Sequence, residues 1–191
     1  MICKRLLLLV IVLFFTLISE SQDLEFYGED LTFEIFDSMF QVNGTYYLCN
    51  VGNKAINQIL FYPFPVDSQY YGDINSIRIS KKDTIIKITR QDKSGVYFGL
   101  KLKPYKTVEY EIFYNQKLLK NKAEYILETT KKWKKPFETA DYKLIIPDNL
   151  VIDYISYEPD SILTENSKLI YLWHKKDFMP DRNMIIEFNH K

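Results

Sequence analysis

The stretch YYLCNVGNKAINQILFYPFPVD, residues 46–67, decides the fold predicted for this chain. Two apolar runs flank a polar turn at Gly52-Asn53-Lys54, and Pro63 and Pro65 bracket the exit from the second run. Short apolar runs bounded by turn residues are typical of strands. Proline ends a strand because it has no backbone N–H to donate. The stretch therefore predicts two β-strands joined as a hairpin.

Strand patterns continue on both sides of this stretch. Residues 107–114 alternate Val108, Tyr110 and Ile112 with polar residues, which is the period-2 pattern of a half-buried strand. About a dozen such segments follow one another at the spacing typical of sandwiches and barrels. No segment keeps a helical period over three turns. The predicted fold class is all-β, an antiparallel β-sandwich that is either one body or two packed β units.

The N-terminus has the pattern of a secretory signal peptide. Lys4 and Arg5 precede an apolar run over residues 6–18, and Ser19 and Ser21 follow it. The run is shorter than the ~20 residues that a membrane-spanning helix needs. We predict a signal peptide over residues 1–21, an N-terminal β-sandwich over 22–117 and a C-terminal β unit over 118–191. A retained N-terminal anchor is the alternative to cleavage, and after cleavage no stable membrane span is expected.

Charge and cysteine content limit the possible partners. The chain has 25 basic and 25 acidic residues, so its formal net charge is zero. A neutral chain has no long-range field to gather nucleic acid, which is therefore not an expected partner. Cleavage of the signal peptide would remove Cys3 and leave Cys49 as the single cysteine, so no intramolecular disulfide is expected.

No sequence motif indicates catalysis, a metal or a cofactor. His174 and His190 are the two histidines, and a metal site needs several ligands that converge. Cys49 has no neighbouring base in the sequence that would activate it. We therefore predict that the chain is not an enzyme and binds no cofactor. An exported hydrolase stays an alternative, because glycosidase carboxylates are brought together by the fold rather than by a motif.

Two segments are candidate binding sites. Tyr70 and Tyr71 lie in the loop after Pro65, where amphipathic rings suit either a sandwich core with hydrogen-bonded hydroxyls or recognition of a peptide or a carbohydrate. Lys132, Trp133 and Lys134 belong to a run of lysines interrupted by one aromatic residue, which suits stacking on a sugar or contact with an acidic lipid. The alternative for the second segment is a solvated hairpin in which Trp133 packs on the core and the lysines discourage edge pairing.

Two resemblances extend this interpretation. Residues 46–67 resemble the first hairpin of VIT-type domains, the β-sandwich modules of vault and inter-alpha-trypsin-inhibitor proteins. Asn50, Phe64 and Pro65 hold comparable places, and Pro63 stands where that pattern has Phe. Residues 125–147 look like a segment of exported bacterial β-sandwich proteins of unknown function. Both resemblances imply an architecture and a bacterial envelope or secreted protein, and neither implies an activity.

The predicted function is a non-enzymatic, exported β-sandwich module, periplasmic or extracellular, that binds a protein partner or a glycan in the cell envelope. The alternatives are an envelope or secreted hydrolase and a structural envelope subunit. A subunit of the last kind would self-associate through an edge strand.

Overall fold

The computed structural model describes residues 23–191, so the predicted signal peptide lies outside the described residues. The described residues form fourteen strands and one short 3₁₀ helix, Glu128–Trp133. The strands in chain order are β1 Leu24–Phe36, β2 Met39–Asn50, β3 Ile56–Pro63, β4 Tyr71–Lys81, β5 Thr84–Ile85, β6 Ile88–Asp92, β7 Gly95–Leu102, β8 Thr107–Leu118, β9 Lys122–Tyr125, β10 Phe137–Pro147, β11 Leu150–Ile155, β12 Ser161–Glu165, β13 Lys168–Phe178 and β14 Met184–His190.

These strands form one large sheet and two small ones. The large sheet has eight strands in the order β12-β13-β10-β1-β2-β8-β4-β5. The small sheets have the orders β3-β7-β6 and β11-β14-β9. The all-β prediction is confirmed. One strand pair differs from the predicted antiparallel arrangement, because β1 and β10 pair in parallel near the centre of the large sheet.

Both small sheets contribute to the same core as the large sheet. On β8, Val108, Tyr110 and Ile112 are buried while Glu109 and Glu111 are exposed, so one face of the large sheet is apolar and covered. Leu100 of β7 and Ile186 of β14 belong to the same buried cluster. The molecule is therefore a two-layer sandwich whose second layer is divided between two sheets.

The stretch that predicts a hairpin forms its two strands but not the hairpin. β2 pairs with β1 and β8, whereas β3 pairs with β7 in a different sheet. The chain crosses from one layer to the other at residues 51–55. Apolar patterning fixes which segments are extended, but partner choice depends on contacts distant in sequence. The turn residues are therefore a connection between layers.

Two further segments differ from the sequence prediction. The β-branched residues of segment 84–89 predict one strand, but this segment contains β5 of the large sheet and the start of β6 in a small sheet. The sequence of residues 123–129 also predicts a strand, but the chain leaves the extended conformation after Tyr125 and the 3₁₀ helix begins at Glu128. Residues 116–120 could form one helical turn or a strand end from their sequence, with a strand end favoured, and β8 extends to Leu118.

The predicted division between residues 117 and 118 falls one residue before the end of β8. The large sheet takes strands from both sides of that boundary, since β1 pairs with β2 on one edge and with β10 on the other. In the part of the chain that the structure describes, no helix has the length and apolarity to cross a membrane.

Candidate functional site

A cleft of about 270 Å³ opens where the three sheets meet. The large sheet forms its floor through β1, β2 and β8. Strand β3 forms one wall, and β9 with the 3₁₀ helix forms the other. Since β3 and β9 are outer strands of the small sheets, the cleft is the gap between two sheet edges. It is lined by Phe26, Glu29, Tyr46, Leu48, Gln58, Ile59, Leu60, Phe61, Tyr62, Pro63, Phe98, Tyr110, Ile112, Tyr125, Ile126, Thr129, Thr130 and Trp133.

Three tyrosines, one from each sheet, meet at the cleft. The hydroxyl of Tyr46 on β2 is 2.8 Å from that of Tyr62 on β3 and 2.9 Å from that of Tyr125 on β9. Burial raises the pKa of all three hydroxyls well above the ordinary value, so they stay protonated and can act as donors. These hydrogen bonds tie the two small sheets to the large one at the site.

One carboxyl group lies among these rings. Glu29 is only 2% exposed, and its Oε1 accepts a hydrogen bond of 2.8 Å from the hydroxyl of Tyr142 on β10. Its inward position depends on a β-bulge in β1, where Phe26 pairs with Leu48 and Gly28 with the adjacent Tyr47, so that Tyr27 is the extra residue. The extra residue shifts the alternation, so that both Phe26 and Glu29 face the cleft.

Burial dominates the electrostatics of Glu29. Desolvation raises its pKa from 4.5 to about 8, and the negative charge of Asp30 acts in the same direction. Hydrogen bonds from the hydroxyls of Tyr142 and Tyr125 favour the charged form and oppose the rise in pKa. The carboxyl is therefore mostly protonated at neutral pH while the cleft holds no cation.

The predicted segment at residues 132–134 contributes one residue to the cleft. Trp133 lies at its wall, with its ring 5.8 Å from that of Phe26 in an edge-on arrangement. Lys132 and Lys134 are exposed and do not line the cleft. Lys134 ends the 3₁₀ helix in a left-handed conformation, with φ of 59°. Trp133 thus combines the two alternatives, because it packs on the core and still faces the cleft.

The predicted tyrosine loop lies at a different place. Tyr70 packs beneath Lys120 and Lys122, whose ammonium nitrogens are 5.1 and 4.9 Å from its ring centre. Tyr71 is buried at the start of β4, and its hydroxyl donates a 3.0 Å hydrogen bond to Glu124. Tyr71 lines a separate groove with Gly72 and Gln116. The two predicted segments are therefore not brought together into one site.

Neither Glu29 nor the contact of Tyr125 with Tyr46 and Tyr62 was predicted from the sequence. The sequence does contain a signal for the burial of Glu29. Glu29, Leu31 and Phe33 are alternate residues of one strand, so all three side chains lie on its buried face. Tyr46, Tyr62 and Tyr125 meet only because three different sheets do, and no local pattern carries that information.

The histidine, cysteine and acidic side chains outside the cleft do not form a recognisable metal or nucleophile site among the described residues. Among residues 23–191, no group of three or more His, Cys, Asp and Glu side chains is arranged to hold a metal ion. Burial raises the pKa of the Cys49 thiol, which disfavours the nucleophilic thiolate. His174 lies on an exposed surface with its Nδ1 2.5 Å from Asp141.

The sequence matches no protein-family model, and no curated protein is similar to it. Solved structures resemble its fold. A candidate nutrient-binding protein from Legionella pneumophila matches with a TM-score of 0.70 and 14% identity, over 87% of this chain and 67% of that one. An M1 zinc metallopeptidase from Deinococcus radiodurans and a variant of it match with TM-scores of 0.53 and 0.55 and identities of 10% and 9%.

The chain spans 42% of the length of each of these two peptidase chains. At such identities the similarity shows the fold alone, an all-β sandwich that occurs in proteins of different function. The resemblance of residues 46–67 to VIT-type domains stays a prediction.

Proposed function

We propose that this chain is a non-enzymatic binding module that acts outside the cytoplasm and holds one apolar or aromatic group of a ligand in its cleft. The group belongs to a small molecule, or to a protein or glycan partner in the cell envelope. The observation that carries this proposal is the cleft itself, where three sheets meet around an aromatic lining with one carboxyl.

Size and chemistry of the cleft support binding. Ligand pockets commonly enclose roughly 300–1,000 Å³ and combine apolar walls with few polar groups. A volume of about 270 Å³ fits a group of side-chain size or a small ring. The hydroxyls of Tyr46, Tyr62 and Tyr125 supply the polar contacts that would orient it. Similarity of fold to a candidate nutrient-binding protein is consistent with this role.

The cleft supports binding better than hydrolysis. A glycosidase needs two carboxyl groups about 5–10 Å apart on either side of the bond that is cleaved. Among the residues that line this cleft, Glu29 is the one carboxyl, and its titratable neighbours there are tyrosines whose pKa values are raised by burial. Such hydroxyls donate hydrogen bonds but do not act as bases at neutral pH.

A cleft-filling substitution tests the proposal. The protein would be screened by ligand-observed NMR against amino acids, short peptides, oligosaccharides and small aromatic compounds. Thr129→Phe places a ring inside the cleft and should abolish binding of any hit, since Thr129 lines the wall. Thr164→Phe makes the same change on the exposed strand β12 and should leave binding intact.

The class of hit also separates the sources of the ligand. Hits among oligosaccharides would favour a glycan, and hits among peptides would favour a protein partner. If the screen yields no compound whose binding is lost in Thr129→Phe and kept in Thr164→Phe, the proposed function is wrong.

A further inference from the structure

Among the described residues, the lining of the cleft contains one acidic side chain and no basic one. Glu29 is buried at its floor, and among the lining residues that the structure describes there is no lysine or arginine. The groups that act on the Glu29 carboxyl are two hydroxyls, one further carboxylate and the apolar surroundings. A buried acid is normally paired with a cation or hydrogen-bonded throughout, because an unpaired charge in an apolar site is costly. The described part of the protein supplies donors to Glu29 but no cation.

The walls around Glu29 suit a cation as well. Phe26 and Trp133 pack edge to face at 5.8 Å, and Phe26 is also 6.0 Å from the ring of Tyr46. Aromatic faces attract ammonium groups, and the attraction grows when the site is shielded from water. An anionic ligand would meet no positive charge in this lining and would face the carboxyl.

We infer that the cleft selects ligands that carry an ammonium group on an apolar or aromatic body, with the ammonium paired to the Glu29 carboxylate. This inference rests on the proposed function and names its ligand class. The ammonium comes either from a free amine or from a lysine side chain of a peptide, since both present the same chemistry.

Binding of this kind releases a proton. The carboxyl of the empty cleft is mostly protonated at neutral pH, since its pKa is raised to about 8. An ammonium stabilises the carboxylate, so Glu29 gives up its proton to solvent as the ion pair forms. The titratable groups that act on Glu29 come from every element packed around it: Asp30 on β1 itself, Tyr46 on β2, Tyr62 on β3, Tyr125 on β9 and Tyr142 on β10.

The sign of the pH dependence follows from that release. The tyrosines stay protonated, so Glu29 is the group among them that changes its charge between pH 6 and 9. Affinity for an ammonium should fall by about tenfold for each pH unit below about 8 and level off above it. Affinity for a neutral ligand of the same shape should change little.

The test compares phenethylamine, 2-phenylethanol and phenylacetate by isothermal titration at pH 6.5 and 8.5. Phenethylamine is expected to bind at least about tenfold more tightly than the alcohol at pH 8.5. At pH 6.5, titrations in buffers of different ionisation enthalpy should detect release of about one proton per bound amine. A blocked tripeptide with a central lysine, run in parallel, distinguishes a peptide source from a free amine.

Glu29→Gln should remove the preference for the amine and its pH dependence while it keeps the binding of 2-phenylethanol. Glu34→Gln is the matched control, because Glu34 lies on the outer face of the same strand and pairs with Lys168. If Glu29→Gln does not fold, proton release by the unmodified protein still decides the question.

Different results would overturn the ammonium preference and the proposed binding function. Equal binding of the amine and the alcohol, or amine binding without proton release, would overturn this inference and leave the proposed function standing. Binding of neither compound, with no other hit in the cleft, would overturn both.

Discussion

The buried tyrosines of this protein differ in whether their hydroxyl groups find partners. Tyr46 hydrogen-bonds to two other hydroxyls, at 2.8 and 2.9 Å. Tyr114 is 0% exposed, and its hydroxyl makes no hydrogen bond of normal distance and angle with the described residues, although its ring packs 5.0 Å from that of Phe64. A buried hydroxyl without a partner costs free energy, whereas a paired one contributes to stability.

Removal of these two hydroxyls should therefore affect stability differently. Tyr46→Phe leaves Tyr62 and Tyr125 without their shared partner and should lower the free energy of unfolding by about 1–3 kcal/mol. Tyr114→Phe removes an unpaired group from a packed site, so the free energy of unfolding should stay within about 0.5 kcal/mol or rise. Urea unfolding followed by circular dichroism measures both variants. A loss in Tyr114→Phe as large as that in Tyr46→Phe would show that the Tyr114 hydroxyl is paired.

Glu29 shows how far sequence could predict the site. Its burial follows from the same alternation that buries Leu31 and Phe33, so that part was available from the sequence. Its place beside Phe26 at the cleft was not, because the bulge that aligns them comes from the pairing of β1 with β2. Trp133 was predicted as a binding residue because it interrupts a run of lysines. Its contact with Phe26 was not predictable, because it depends on the packing of the 3₁₀ helix against β1 in the folded protein.

The connection between β2 and β3 is held by one amide side chain. Asn50 is 0% exposed, and its Nδ2 donates to the carbonyl oxygens of Lys54 at 2.7 Å and Lys103 at 3.1 Å. Its Oδ1 accepts from the backbone N–H of Gly52 at 3.0 Å. These bonds fix the turn after β2 and tie it to the end of β7. A buried amide with all its partners satisfied is worth more than a surface hydrogen bond.

Asn50→Ala should therefore destabilise the protein by about 2–3 kcal/mol, because it leaves buried backbone groups unpaired. Asn57→Ala is the matched control. Asn57 is exposed on β3, and the change should alter stability by less than about 0.5 kcal/mol. Thermal unfolding of both variants gives the comparison. Equal melting temperatures for the two would mean that Asn50 does not hold the crossing between layers.

Elements were predicted better than their pairing. Residues 107–114 were recognised because an alternating strand carries its signal within its own residues. The strands on either side of Gly52 were recognised in the same way, yet they pair with different partners, since neither their patterns nor the turn between them encodes a sheet. β12 was missed because its five residues are all exposed and include adjacent Ile162 and Leu163 rather than an alternation.

The two halves of the described chain are joined through the centre of the large sheet. β1 lies between β2 of the first half and β10 of the second, and its pairing with β10 is parallel over seven residue pairs. Parallel strands need a long connection, and here the whole of β2 to β9 separates them. The core combines Phe33 of the first half with Leu144 and Ile186 of the second. The sandwich is therefore expected to fold as one cooperative body.

Fragments divided at residue 117 test this expectation. A fragment of residues 22–117 lacks β10, so one edge of β1 and the apolar face beneath β9 and β14 would be open to water. We expect neither this fragment nor residues 118–191 to unfold cooperatively alone, because each exposes core surface that the other covers. Mixing the two should restore a cooperative urea transition, and circular dichroism would follow the mixture and each fragment, because both tryptophans lie in residues 118–191. A sharp transition in either isolated fragment would instead establish two independent β units, and the cleft between the three sheets would then be an interface between domains.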